Sequence, residues 1–378
     1  MRMTIPQPQL LKSLQMVERA VNDRSTLPIL GNILLETRDD QLTLTATDLD
    51  VGIQCRFPLT QPWEQGAVTL PARRLATIVR ELPDDTVTFE AKKNHTATLS
   101  CGTSSFRVPG LPAEDFPVFP GAEEAAGATI PQAALKALIT QTSYAMSMEE
   151  ARFILNGALL SLQTHAATFV ATDGRRLAVA TSGLSGAAHQ PLEAILPAKT
   201  VRELGRLLDA SEPEDVRIAP LKDNQLTFQF GGVTVITRLL EGQFPQYDKV
   251  IPAPSKTILS CDRGALLSAV RRANLMTSAT SQAVLFELEG NRLVVSKESA
   301  ELGSAREEVP ARYDGQPMRI AFNPEFWLDV LKVLEQDQVH IECSNPDRPA
   351  VIRIPRAAEL TGGAQPSFVY LVLPMKVA

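Results

Sequence analysis

The sequence predicts an α+β protein assembled from three copies of one unit. Three observations carry that prediction: a self-similarity with a period of about 125 residues, amphipathic helices at matching places in each copy, and alternating strands between them. Ile29-Leu30-Gly31-Asn32-Ile33-Leu34-Leu35 aligns with Ile154-Leu155-Asn156-Gly157-Ala158-Leu159-Leu160, and Ala46-Thr47-Asp48 recurs at the same offset as Ala171-Thr172-Asp173. Thr4-Ile5-Pro6-Gln7 matches Thr129-Ile130-Pro131-Gln132, and Leu70-Pro71-Ala72 matches Leu196-Pro197-Ala198. The third copy is degenerate but keeps the rhythm, with Leu285-Phe286-Glu287 standing for Leu34-Leu35-Glu36.

Each element follows from local chemistry. First helices are expected at 9–22, 132–143 and 263–276, where apolar residues recur at three-to-four spacing, as in Leu10, Leu14, Val17 and Val21. Second helices are expected at 72–82, 198–208 and 324–334, each after a proline or asparagine start signal. Between them, stretches such as Gln41-Leu42-Thr43-Leu44-Thr45-Ala46 alternate apolar residues with threonine, the pattern of a half-buried strand. The small, polar run 121–127 and the proline-rich Pro252-Ala253-Pro254-Ser255-Lys256 read as linkers, which sets domains at 1–124, 125–253 and 254–378.

Composition narrows the function. The 378 residues are 44% hydrophobic and 21% charged, ordinary for a folded globular chain. No apolar run is long enough for a signal peptide or a membrane span, so a cytoplasmic protein without a membrane partner is expected. Cys55, Cys101, Cys261 and Cys343 are scattered without a C-x-x-C pair, as are the four histidines; no metal site and no cofactor are expected. The motifs of nucleophile elbows, P-loops, zinc proteases and dinucleotide folds are absent, so no catalytic residue is assigned. Asp48 and Asp173 invite a reading as paired carboxylates, but their repeat symmetry favours two equivalent turns.

Charge is unevenly placed. The formal net charge is -6, yet the five helical windows 8–24, 71–82, 131–146, 198–208 and 262–274 together carry +8, leaving -14 elsewhere. The sixth helix breaks the trend with Glu325, Asp329 and Glu335. Two such chains joined head to tail would supply twelve helices, which at ~10 Å spacing line a circle of ~120 Å circumference. The axis-to-axis diameter is then ~38 Å and the opening ~28 Å. That opening admits a hydrated B-form duplex, held by phosphate contacts indifferent to sequence.

The residues resemble the beta subunit of bacterial DNA polymerase III, the sliding clamp, along the whole chain. The most specific segments are Thr26-Leu27-Pro28-Ile29-Leu30-Gly31-Asn32, Ala171-Thr172-Asp173-Gly174-Arg175-Arg176-Leu177-Ala178, Gly242-Gln243-Phe244-Pro245-Gln246-Tyr247 and Tyr370-Leu371-Val372-Leu373-Pro374-Met375-Lys376-Val377. The resemblance implies three clamp domains per chain in a head-to-tail homodimeric ring, with helices inside and β-sheets outside. It further implies a non-catalytic processivity factor that encircles duplex DNA and tethers the DNA polymerase III alpha subunit, other DNA polymerases, the clamp loader, and repair proteins carrying a clamp-binding peptide.

Site residues carried over by matching positions form three groups. The partner-peptide pocket comprises Leu155, Thr172, Gly174, Arg175, Arg176, Leu177, Pro245, Lys249, Val250, Asn323, Phe326, Val351, Leu373, Pro374, Met375, Lys376 and Val377. Channel-facing cations are Arg24, Arg73, Arg80, Arg152, Lys199, Arg202 and Arg206. The dimer interface is expected to join Phe106, Leu275 and Met276, with Glu298 and Glu301 facing Arg74 and Arg107 of the neighbouring subunit. At Arg74 the family often carries lysine, and at Glu149 an uncharged polar residue. A clamp paralogue devoted to repair or resistance is the alternative within the same family.

Overall fold

The computed structural model describes residues 1–21, 25–83, 85–120, 127–149, 151–188, 190–355 and 367–376. It folds as two compact units, residues 1–132 with 206–239 and residues 133–205 with 240–378. Arg24 and Val377 lie outside the described residues, as do most of the first linker and the boundary near 125.

The first unit holds a four-stranded and an eight-stranded sheet. The smaller runs in the order Arg2–Pro6, Thr86–Ala91, Thr96–Cys101, Ser104–Pro109. The larger is built from two repeats, because Val233–Arg238 pairs antiparallel with Val51–Pro58. The second unit holds one twelve-stranded sheet, joined in the same way where Arg176–Gly183 pairs antiparallel with Ser367–Val372. The middle repeat therefore lends strands to both units: Asp215–Leu221, Gln225–Phe230 and Val233–Arg238 to the first, and Gly157–Gln163, Ala166–Thr172 and Arg176–Gly183 to the second.

Alternation places the core. In Thr96–Cys101 the inward residues Ala97, Leu99 and Cys101 are buried and their neighbours half-buried. Gly157–Gln163 departs from alternation, being buried on both faces up to Gln163. Its second face belongs to a cross-strand row, Ile195 opposite Leu159, Leu159 opposite Val170 and Val170 opposite Val179. Leu177, Leu371 and Val351 continue the same apolar cluster.

The helices start where prolines and caps direct. They are α1 Gln7–Val17, α2 Ala72–Glu81, α3 Gln132–Thr142, α4 Ala198–Leu207, α5 Arg263–Asn274 and α6 Pro324–Val333. In α5 the Asp262 carboxylate accepts from the Ala265 amide, and in α6 the Asn323 side chain accepts from the Glu325 amide, both N-cap bonds. The first helix is shorter than its periodicity implies. It ends at Val17, continues as a 3-10 turn over Glu18–Ala20, and gives way at Val21, whose backbone is extended and whose amide bonds back to the Glu18 carbonyl.

The helical cations fall opposite the buried face: α2 buries Ala72, Leu75, Ala76 and Val79 and exposes Arg73, Arg74 and Arg80. α6 is the most apolar, and its Trp327 packs tilted against Phe286 and edge-on against Phe322, each at 5.3 Å between ring centroids. All four cysteines are buried, and burial first, then a neighbouring carboxylate, pushes Cys261 and Cys343 up to about 12.

Candidate functional site

In the second unit, the cluster around Leu177 and Leu371 is the floor of a groove of about 500 Å³. Its walls are Leu155, Pro245, Val250, Pro252, Pro349 and Leu373, while Thr172, Gly174, Gln246 and Tyr247 supply polar edges. Four cationic residues line it, Arg175, Arg176, Lys249 and Arg348, and among the described residues no carboxylate does. Such a lining suits an extended, partly apolar peptide better than a reacting small molecule. Burial, then Asp248 and Glu193, raise the Tyr247 hydroxyl above its ordinary value, so it stays a neutral donor at neutral pH.

One wall is set by a tight turn. The Asp173 carboxylate accepts from the amides of Arg175 at 2.9 Å and Arg176 at 3.0 Å. The Thr172 hydroxyl donates to the Arg176 carbonyl at 2.6 Å and accepts from the Gly174 amide at 3.1 Å. Gly174 sits at φ +85°, the left-handed region where a side chain would be strained. The turn that repeat symmetry assigned to Asp173 is thus present, and it fixes where Gly174 and Arg175 meet the groove.

Arg176 is held from four sides. Its guanidinium bonds Asp173 at 3.1 Å, Asp329 on α6 at 2.7 Å and the Tyr144 carbonyl at 2.6 Å, and it lies over the Phe326 ring at 4.4 Å. Burial opposes its charge, but Tyr370, Asp329 and Asp173 outweigh that and hold it above the ordinary guanidinium value. Phosphate binding by Arg175 and Arg176 together is therefore not what this geometry offers. Arg176 is a strut between the turn and α6, whereas Arg175 is exposed. Burial likewise raises Tyr144 and Tyr370, and the Tyr370 hydroxyl donates to the Phe326 carbonyl at 2.8 Å.

The chain leaves the sheet beside this turn. The Leu373 amide donates to the Arg175 carbonyl at 2.9 Å, and the Met375 amide to the Ala321 carbonyl at 2.7 Å. Leu373 and Met375 are partly exposed, at 40% and 36%.

Sequence models of the DNA polymerase III beta subunit match the chain in three consecutive parts: the N-terminal domain over residues 1–120, the central domain over 129–246 and the C-terminal domain over 248–375. The beta sliding clamps of Pseudomonas putida and Vibrio cholerae are each 32% identical over the full length of both chains. Among solved structures, the Bacillus subtilis sliding clamp superposes with a TM-score of 0.91 at 31% identity, covering both chains completely. The Pseudomonas aeruginosa clamp bound to griselimycin gives 0.91 at 32%, again over both whole chains.

The chain belongs to the DNA polymerase III beta subunit family. Its function is that of a DNA sliding clamp, a non-catalytic part in DNA replication. Among the described residues of this clamp, no group of three or more His, Cys, Asp or Glu could hold a metal ion, and no helix is long and apolar enough to cross a membrane.

The structure brings Leu155, Thr172, Gly174, Arg175, Arg176, Leu177, Pro245, Lys249, Val250 and Leu373 into one groove. Other sequence-predicted pocket residues take different places. Asn323 caps α6, Phe326 lies under Arg176, and Val351 is buried in the floor cluster. Pro374, Met375 and Lys376 run past the groove, with Met375 bridged to Ala321, and do not line the cavity. Sequence reasoning missed Gln246, Tyr247, Pro252, Arg348, Pro349 and Leu371 as lining residues. For Tyr247 a signal existed, its place directly after Pro245-Gln246; Arg348 and Pro349 lie in the loop 343–349, which is longer than its counterparts at 92–95 and 222–224.

Of the predicted channel cations, Arg73, Arg80, Arg202 and Arg206 are exposed on α2 and α4, and Lys199 is half-buried. Arg152 pairs with Glu149 at 3.1 Å and donates to the Asp173 carbonyl, so it also supports the turn. Among the predicted interface residues, Arg74, Arg107, Glu298 and Glu301 are exposed, Phe106 and Leu275 are exposed apolar residues, and Met276 is half-buried.

Proposed function

We propose that two copies of this clamp close head to tail into a ring around duplex DNA, and that the groove of the second unit receives peptides from partner proteins. The observation that carries the ring is a pair of unpaired strand edges of opposite character. Ser104–Pro109 ends the four-stranded sheet and exposes Phe106 and Arg107. Strand Gly303–Tyr313 pairs along its length with Arg292–Ser299, but on its other side only Ala311, Arg312 and Tyr313 are paired. Glu301 lies in the turn that leads into this strand, and Glu298 lies opposite Ser304 on the strand beside it. Exposed edges invite another strand, and joining one copy's basic edge to the other's acidic edge covers both of these. Phe106 would be covered there by Leu275 and Met276, with Arg74 and Arg107 facing Glu298 and Glu301.

Three repeats at 1–124, 125–253 and 254–378 support this reading: the first two family segments fall within the first two repeats, and the third, 248–375, begins six residues before 254 and ends inside the last. In the ring, Arg24, Arg73, Arg80, Arg152, Lys199, Arg202 and Arg206 would face the channel and meet phosphates without reading bases. Partners would be the DNA polymerase III alpha subunit, other polymerases, the clamp loader and repair proteins, all in the cytoplasm. A bacterial clamp loader and a nicked circular plasmid test the ring. The protein stays with the circle through gel filtration and leaves once the plasmid is cut; equal retention on both would sink the ring. Phe106→Glu should convert the dimer to monomer in sedimentation, and an unchanged dimer would remove that edge from the interface.

A further inference from the structure

We propose that the groove selects peptides whose apolar residues are flanked by carboxylates. This rests on the groove being the partner site. Three of its four cations, Arg175, Lys249 and Arg348, are exposed at its rim and take part in no ion pair among the described residues. The fourth, Arg176, is buried and its charge is already met by Asp173 and Asp329, with the Tyr144 carbonyl as a third partner. The chain as a whole is acidic, at -6, so a rim of unpaired positive charge around an apolar hollow runs against the general trend.

The three cations come from three separate segments: the turn after Ala166–Thr172, the 3-10 turn Tyr247–Val250, and the loop before Ala350–Ile354. They therefore reach the hollow from three segments rather than from one helix face. The acids nearest to them in sequence, Asp173, Asp248 and Asp347, do not line the cavity, and Asp173 is engaged by Arg176. An extended peptide that sinks leucine or phenylalanine onto Leu177 and Leu371 passes these cations on the way in and on the way out. Carboxylates beside the anchors complement them, and lysines there are repelled.

Rim charges act through solvent, so each pair contributes roughly twofold in affinity and the three together about tenfold at low salt. The test uses labelled, end-blocked decapeptides with alternating leucine and phenylalanine in the middle and two aspartates, two asparagines or two lysines at each end. Fluorescence anisotropy with the full chain should rank aspartate about tenfold tighter than asparagine, and lysine weakest, with the gap closing near molar salt. The triple variant Arg175→Gln, Lys249→Gln, Arg348→Gln should bind the aspartate and asparagine peptides equally. Equal binding of all three peptides to the unaltered protein, abolished by Leu177→Asp, overturns the charge selectivity and keeps the groove. Binding of every peptide that survives Leu177→Asp, or no binding at all, overturns the groove as the partner site and the selectivity with it.

Discussion

The turns at 47–51 and 172–176 are copies of one scaffold that have been put to different use. In each, a threonine hydroxyl bridges the ends and an aspartate accepts two backbone amides: Asp48 from Asp50 and Val51, Asp173 from Arg175 and Arg176. In each, the residue after the aspartate is left-handed, Leu49 at φ +79° and Gly174 at φ +85°. They differ in three side chains, the middle one being Asp50 where the exposed groove cation Arg175 stands. Val51 is a buried aliphatic residue where Arg176 is a charged strut, and Leu49 projects a half-exposed chain where Gly174 leaves the approach to the groove open. A backbone frame can be repeated unchanged while single positions decide whether its surroundings become core or binding surface.

The largest effect that separates the two turns lies at their last position. Arg176→Met takes the guanidinium away from Asp329, from one oxygen of Asp173 and from the Tyr144 carbonyl in a largely buried setting, and should lower stability by about 3 kcal/mol. Val51→Ala, losing only aliphatic contacts, should lower it by about 2 kcal/mol. Urea unfolding of both variants decides this, and an Arg176→Met loss no larger than that of Val51→Ala would remove the strut from the account.

A second contrast is between the units. Cys261 and Cys343, both in the second, are held at about 12, so the folded state keeps protons that the unfolded chain releases near 9. Their stabilising contribution is whole below pH 9 and is lost as pH rises toward 12, by about 1.4 kcal/mol per pH unit for each thiol. Thermal unfolding between pH 8 and 10.5 should show that decline, and Cys343→Ala should make it shallower. A slope untouched by this variant would place the alkaline sensitivity elsewhere.

The smallest effect concerns the left-handed position. Leu49→Gly relieves backbone strain at the expense of chain entropy and should raise stability by about 0.5 kcal/mol. Gly174→Ala should lower it by about 1 kcal/mol, since the added Cβ meets only the movable end of Arg152, at 3.0 Å, and the penalty is mainly conformational. Effects of equal sign in the two variants would mean the turns are not equivalent after all.

Much of this was legible from residue types. Pro71, Pro197 and Asn323 announce helix starts, and the recurrence of Asp48 and Asp173 announces turns, because caps and turns depend on a few neighbouring atoms. The strut was not legible: Arg176 and Asp329 are 153 residues apart, and nothing local in either segment names the other. Nor was the role of Arg348 and Pro349, whose loop is longer than its counterparts at 92–95 and 222–224 in the other repeats. Val351, directly opposite Leu371, belongs to the buried cluster beneath the groove rather than to its exposed lining.

The seams on either side of the middle repeat are backbone ladders, and this bears on any attempt to dissect the molecule. Cutting out residues 125–253 would strip Val233–Arg238 of Val51–Pro58 and Arg176–Gly183 of Ser367–Val372, baring two long apolar edges at once. Such a fragment is a candidate for self-stacking and precipitation, so recombinant work on single repeats should begin with charged or proline-blocked borders at those two strands.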